Sequence, residues 1–113
     1  AQQAHLKDVT VILYGREGKE FSVTGEEGTV DIATKSFSLF NKEVPLVVET
    51  KDGYTIYTNH VTWNNERKEV ATKDPVRIVG RGVEVTGRGF LVRLTSEEFE
   101  VFEDVCVALV PVS

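Results

Sequence analysis

The sequence predicts an all-β domain whose antiparallel strands roll into a closed or half-open sheet, and three observations predict it. Valine and threonine are abundant and methionine is absent, a mix that suits the pleated, half-buried surface of a strand better than the crowded turn of a helix. Apolar side chains recur at every second position along most of the chain, with no sustained i, i+3, i+4, i+7 stripe. Polar and glycine-rich clusters punctuate the alternating segments as turns do. At 113 residues and 12.6 kDa the chain suffices for one core, so residues 1–113 are expected to form a single domain.

Each element follows from that alternation. Val9, Val11 and Leu13 form a first strand in "LKDVTVILY", and "GREGK" turns the chain toward Phe21 and Val23. "GEEG" reads as a turn before Val30 and Ile32, and Phe37 and Leu39 follow, closed by "NKEVP". After "KDG" come Tyr54 and Ile56, then Val61 and Trp63, with "NNERK" and "TKDP" flanking the segment that leads to Val76 and Ile78. Val83 and Val85, then Phe90, Val92 and Leu94, make the next two alternations; "TSEE" separates them from Phe99 and Val101, and Val105, Val107 and Leu109 complete the chain. "GRGVEVTGRG" at residues 80–89 lacks both the order and the strand-to-helix context of a phosphate loop. It reads instead as two glycine turns flanking the short strand Val83–Thr86.

A weak repeat of about thirty residues runs through the pattern. Val23-Thr24-Gly25 recurs as Val85-Thr86-Gly87, with Tyr54-Thr55-Ile56 between them. Leu39, Val70 and Val101 are spaced by 31 and 31 residues, and Val47, Ile78 and Val107 by 31 and 29. Each unit reads as four short strands, and stacked units give a rolled sheet with one inward row of alternating side chains.

Charge and residue chemistry exclude several functions. A net charge of -5 and a pI near 5.0 argue against general nucleic-acid binding. Arg77, Arg81, Arg88 and Arg93 nevertheless cluster, either as solvated strand faces or as contacts to an anion such as a phosphorylated head group. His5 and His60 are far apart, Cys106 stands alone, and no close ligand spacing supports a zinc site. A Cys106–His60 pair lacks a third orienting group, and the acidic pairs Glu26-Glu27 and Glu97-Glu98 fall in turns, where nothing marks them as a glycosidase dyad. The sequence therefore predicts no enzyme, no cofactor and no metal. No apolar run reaches the ~18 residues of a membrane-spanning helix.

Binding is better supplied. Phe21, Val23, Ile32, Leu39, Tyr54, Ile56, Trp63, Val70, Ile78, Val85, Phe90, Val92, Val101 and Val107 form the expected inward row. It is either a closed core or the wall of a lipid groove, and pattern alone leaves both open. The first strand, with Val9, Val11 and Leu13, and the last, with Val105, Val107 and Leu109, are apolar segments expected at sheet edges, where Pro111 alone would blunt the C-terminal border. Such edges invite strand addition by a partner.

These segments resemble the periplasmic domain of the LptC family of lipopolysaccharide-export proteins. The resemblance rests on Asp52-Gly53 with Thr58, on Trp63, on Val70 to Thr72 with Pro75-Val76 and Ile78, on Gly87 and Gly89, and on the closing strand Val101 to Leu109, with "VTVILYGREGKEFSVTGEEGTVD" as the opening hairpin. It implies an open β-jellyroll that holds the acyl part of lipopolysaccharide in its apolar interior. The same resemblance implies a partner at each edge: an inner-membrane ABC transporter at the N-terminal edge, and an LptA-like bridge protein at the C-terminal edge. A periplasmic location follows, tethered by an N-terminal helix that this sequence does not contain. Two alternatives stay open: an LptA-like soluble bridge of the same fold, and a strand-addition connector that binds no lipid.

Overall fold

The alternating segments become nine strands among the described residues, 3–15, 18–93 and 98–109, of a computed structural model. They are β1 (Gln3–Gly15), β2 (Gly18–Asp31), β3 (Phe37–Phe40), β4 (Leu46–Thr50), β5 (Thr55–Thr58), β6 (His60–Asn64), β7 (Glu69–Gly80), β8 (Val83–Arg93) and β9 (Glu98–Leu109). Every pairing is antiparallel.

Strand length explains the architecture. β1, β2, β7, β8 and β9 run 11 to 14 residues, whereas β3 to β6 run four or five. A long strand serves two layers. β2 gives residues 27–30 to β3 and residues 21–24 to β4, while β7 pairs with β6 near its start and with β5 near its end. One layer therefore contains β3 and β6, the other contains β4 and β5, and the long strands fold across from one to the other. β1 pairs only with β2 and β9 only with β8 among the described residues, so the sheet does not close as a barrel. The result is an open β-jellyroll.

The crossing points are marked by local irregularities. Lys73 and Asp74 together oppose Gly89, and Asp104 and Val105 oppose Gly87, two bulges of the kind that bend and twist a strand. Asp8 and Asp104 take left-handed φ values of 51° and 53° at the bends of β1 and β9. At the bend of β2, the Glu26 N–H lies between the residues given to β3 and those given to β4; it donates to Asn41 Oδ1 at 2.6 Å. Two threonines complete the accounting: Thr58 Oγ1 donates to the Pro75 carbonyl at 3.0 Å, and Thr72 Oγ1 accepts from the Asp74 N–H at 3.2 Å. Among the described residues no buried side-chain nitrogen or oxygen lacks a partner, as a stable bend requires.

This geometry corrects three expected turns. "GEEG", "TKDP" and Gly87 to Gly89 lie inside β2, β7 and β8. Their glycines and polar residues bend a continuing strand instead of ending it. Gly28 is there because a Cβ would collide with Leu39 Cδ2 and stand 2.7 Å from the Ser38 carbonyl oxygen; at Gly87 it would approach Val101 Cγ1 to 2.5 Å. The recurring Val-Thr-Gly triplet thus marks equivalent places: Val23 and Val85 face inward, and the glycine follows at the bend. Leu39, Val70 and Val101 also share the inward face, but Val47 lies on the opposite face from the buried Val48, so the second spacing series does not mark equivalents. Leu94, part of "TSEE" and Pro111 lie outside the described residues.

The core lies between the layers. It comprises Phe21, Val23, Leu39, Leu46, Val48, Ile56, Val61, Trp63, Val70, Val76, Ile78, Phe90 and Val92, with Val9, Val11, Leu13, Phe37, Tyr54, Val85 and Val101 packed at its margin.

Candidate functional site

Successive register pairs line the inward side chains into rows that cross the whole sheet. In the β4–β5 layer one row runs Val11, Val23, Val48, Ile56, Ile78, Val85, Val107. In the β3–β6 layer the matching row runs Ala4, Val30, Phe37, Trp63, Val70, Val92, Phe99. All fourteen positions are apolar. Because cross-strand neighbours sit about 5 Å apart, each row is a continuous apolar track, and Phe37 stacks on Trp63 with ring centroids 6.4 Å apart.

Burial along a row is not uniform. Val23, Val48, Ile56 and Ile78 are buried, Val11 and Val85 half-buried, and Val107 is 59% exposed. Trp63, Val70 and Val92 are buried while Phe99 is 44% exposed. Both tracks therefore leave the core at β9, where Val105 and the 80%-exposed Leu109 extend the same apolar strip. The two layers meet at this end through Tyr54 and Phe99, edge to face at 6.2 Å.

Of the fourteen residues expected to line a groove, nine are core: Phe21, Val23, Leu39, Ile56, Trp63, Val70, Ile78, Phe90 and Val92. Tyr54, Val85 and Val101 lie half-buried at its margin. Two are exposed, for different reasons. Val107 keeps the inward register opposite Val85 but sits on an edge strand that little covers. Ile32 has left the sheet: β2 ends at Asp31, whose Oδ1 accepts the Ala33 and Thr34 N–H groups and starts a turn, so the alternation with Val30 does not continue. At the expected partner edges, Val9, Val11 and Leu13 face inward and half-buried, while Val105, Val107 and Leu109 are exposed. Phe99 belongs to the strip too, and its alternation with Val101 was the signal for it. Leu46, Val48, Val61 and Val76 are core members the expected row omitted; the unbroken "LVV" run hides which of residues 46–48 face inward.

Charge is uneven along β9: it carries Glu98, Glu100, Glu103 and Asp104 in its first seven residues, whereas residues 105–109 carry none, so its last five residues lack the charges that ordinarily discourage strand pairing.

The remaining candidates separate. His60 Nε2 and Ser38 Oγ are 2.8 Å apart across β3 and β6, while Cys106 is exposed on β9 opposite Thr86. No hydrogen bond joins Cys106 to His60, and no group of three metal-ligating side chains forms, among the described residues. Of the clustered arginines, Arg77 pairs with Glu84 at 3.0 Å and lies over Tyr57, and Arg93 pairs with Glu69 at 3.1 Å and with Glu100 at 3.5 Å. The Glu84 hydrogen bond, then its charge, raises the Arg77 pKa above the ordinary arginine value. Arg88 stands opposite Glu103, and Arg81 stands over Tyr54. No helix among the described residues is long and apolar enough to cross a membrane.

Comparison with known proteins adds a family and a fold. Residues 1–108 match a family model described as LptC, "Lipopolysaccharide-assembly, LptC-related". The structure is similar to the crystal structure of LptH, the LptA-homologous periplasmic component of the lipopolysaccharide transport device of Pseudomonas aeruginosa, with a TM-score of 0.67 and 12% identity over 97% of this chain and 96% of that one. No curated protein matches the sequence.

Proposed function

The chain belongs to the LptC-related family of lipopolysaccharide-assembly proteins, and from that premise we propose that it holds the acyl chains of lipopolysaccharide along its inward apolar rows and passes them on through its edges. Members of the family serve lipopolysaccharide transport in the periplasm and are not enzymes.

One observation carries the reading: both apolar rows continue past the packed core onto β9, exposing Phe99, Val105, Val107 and Leu109 on the inward face of a strand that has one unpaired side among the described residues. Burying a CH₂ group is worth ~0.8 kcal/mol, so full enclosure of a ~12-carbon chain contributes on the order of 10 kcal/mol. A chain so enclosed leaves slowly, which suits storage. A strip that covers a chain on one side retains only part of that energy and allows hand-off. The nine core residues then form the wall, and Tyr54, Phe99, Val85, Val101, Val107 and Leu109 meet the lipid. An edge strand of a neighbouring jellyroll, added to residues 105–109, aligns a second strip with the first. In this assignment the β1 edge receives from an inner-membrane ABC transporter, and the β9 edge delivers to an LptA-like bridge protein. The likeness to LptH favours a second reading, a soluble bridge that takes its own kind at both edges.

Replacing Val107 and Leu109 together by aspartate tests the proposal. Both side chains are largely exposed, so the fold and its melting temperature are expected to hold, while lipopolysaccharide binding and pairing with the bridge protein both fall at least about tenfold. Loss of pairing with lipid binding intact identifies a connector that carries no lipid. Preservation of both rules out β9 as the site.

A further inference from the structure

We propose that Arg81, at the tip of the β7–β8 hairpin, seats the phosphorylated head of an amphiphile whose chain lies on β9; this rests on the acyl-chain reading above. The turn itself is the first reason. Gly80 pairs with Val83, leaving Arg81 and Gly82 as a two-residue loop with φ values of 52° and 75°. Two positive φ values define the turn that Asn-Gly or Gly-Gly fills most comfortably. An arginine in its first position carries backbone strain that asparagine or glycine would relieve; Lys35 and Lys68 take similar φ values, so the strain admits a use at Arg81 without singling it out. Hairpin closure alone does not call for arginine.

The second reason is how the guanidinium is held. Its Nε donates to the Asp52 carbonyl at 3.1 Å, and its Cζ lies 5.8 Å from the Tyr54 ring centroid. The group is thus oriented by one hydrogen bond and one aromatic face, with both Nη amino groups left to present. Arg77 and Arg93 are engaged with carboxylates, whereas Arg81 forms no ion pair with a described carboxylate. Phosphate oxygens match the paired donors of a guanidinium, and its weak hydration lowers the cost of contact.

The third reason is what lies beside it. Tyr54, under the guanidinium, touches Phe99, and Val83, next after the turn, pairs with Leu109. Phe99, the exposed end of one row, therefore lies against the ring under the guanidinium, and Leu109, which extends the strip beyond the other row, pairs with the residue that follows the turn. An amphiphile lying along Phe99, Val107 and Leu109 brings its head to the hairpin tip. Free phosphate shares the head-group chemistry but gains nothing from the strip.

The test compares two amphiphiles with the same chain, dodecyl phosphate and the uncharged dodecyl maltoside, by calorimetry below micelle-forming concentrations. The whole chain is expected to bind dodecyl phosphate about tenfold more tightly, as one charge-assisted contact supplies. Arg81→Asn is the decisive variant, because an Asn-Gly turn relieves the strain. It is expected to raise the melting temperature by about 2–5 °C while the affinity ratio falls to about 1–2. An unchanged ratio in Arg81→Asn overturns the inference. Equal binding of both amphiphiles by the unmodified chain also overturns it and leaves the acyl-chain reading standing, whereas binding of neither defeats both. Inorganic phosphate forms the last arm: if it alone binds as tightly as dodecyl phosphate, the seat is for free phosphate and the lipid-head assignment fails.

Discussion

The middle of the sheet and its β9 border carry the same alternation of apolar residues, yet they end in opposite environments. Ile56 and Val107 belong to one cross-strand row; the first is 0% exposed and the second 59%. Their side-chain chemistry is nearly alike, so the difference comes from what lies opposite. Ile56 has a paired strand on either side and the other layer above it, whereas β9 is paired on one side only among the described residues. The same pattern that supplies cohesion in the centre supplies an unsatisfied apolar surface at the border.

Substitution should separate the two regions sharply. Ile56→Ala opens a cavity in a filled core and is expected to cost about 2–5 kcal/mol in urea denaturation, whereas Val107→Ala is expected to change stability by less than ~0.5 kcal/mol. Comparable losses at both sites would mean that the border is as well covered as the centre. A smaller but still clear effect is expected at the bend between the regions. In Gly87→Ala the new methyl meets Val101 Cγ1 at 2.5 Å and the Glu103 carbonyl at 3.0 Å, and overpacking of that kind costs roughly 1–3 kcal/mol. A neutral result there would show that β9 shifts freely against β8. The smallest effect belongs to the surface pair: Glu84→Gln is expected to leave the denaturation midpoint unchanged, since Arg77 and Glu84 are both solvent-accessible. The raised Arg77 pKa would favour the fold below the arginine's unfolded value and lose that contribution only as pH rises through the folded one, but solvent screening at this exposed pair leaves it too small to move the midpoint. Both values lie above the working range, so the arginine contributes no slope to stability there.

Period-two alternation placed β1, β3, β5 and β6 and the inward face of every long strand, because a strand with one buried face must alternate. Strand continuity was not legible. Glycine and acidic residues at "GEEG" and at Gly87 to Gly89 look the same in sequence whether they reverse a strand or bend it, and only the pairing of β2 with both β3 and β4 distinguishes the two. The inward rows of the candidate site were legible to a similar depth. Register parity put Val107 in the row with Ile56, but its exposure depends on which strands cover β9, a fact of tertiary arrangement. Ile32 failed for a local reason, the side-chain cap from Asp31 that ends β2 one residue earlier. Arg81 stood among four clustered arginines; the ion pairs of Arg77 and Arg93 set those two aside, and only the contacts with the Asp52 carbonyl and the Tyr54 ring distinguish it from Arg88.

The central claim is that lipid meets this molecule where the apolar rows leave the core. Photo-crosslinking with lipopolysaccharide from two positions of one row, Val107 and Ile56, tests it most directly. Adducts at Val107 with none at Ile56 are the expected outcome; labelling confined to Ile56, or absent from both while the chain stays folded, would contradict the account.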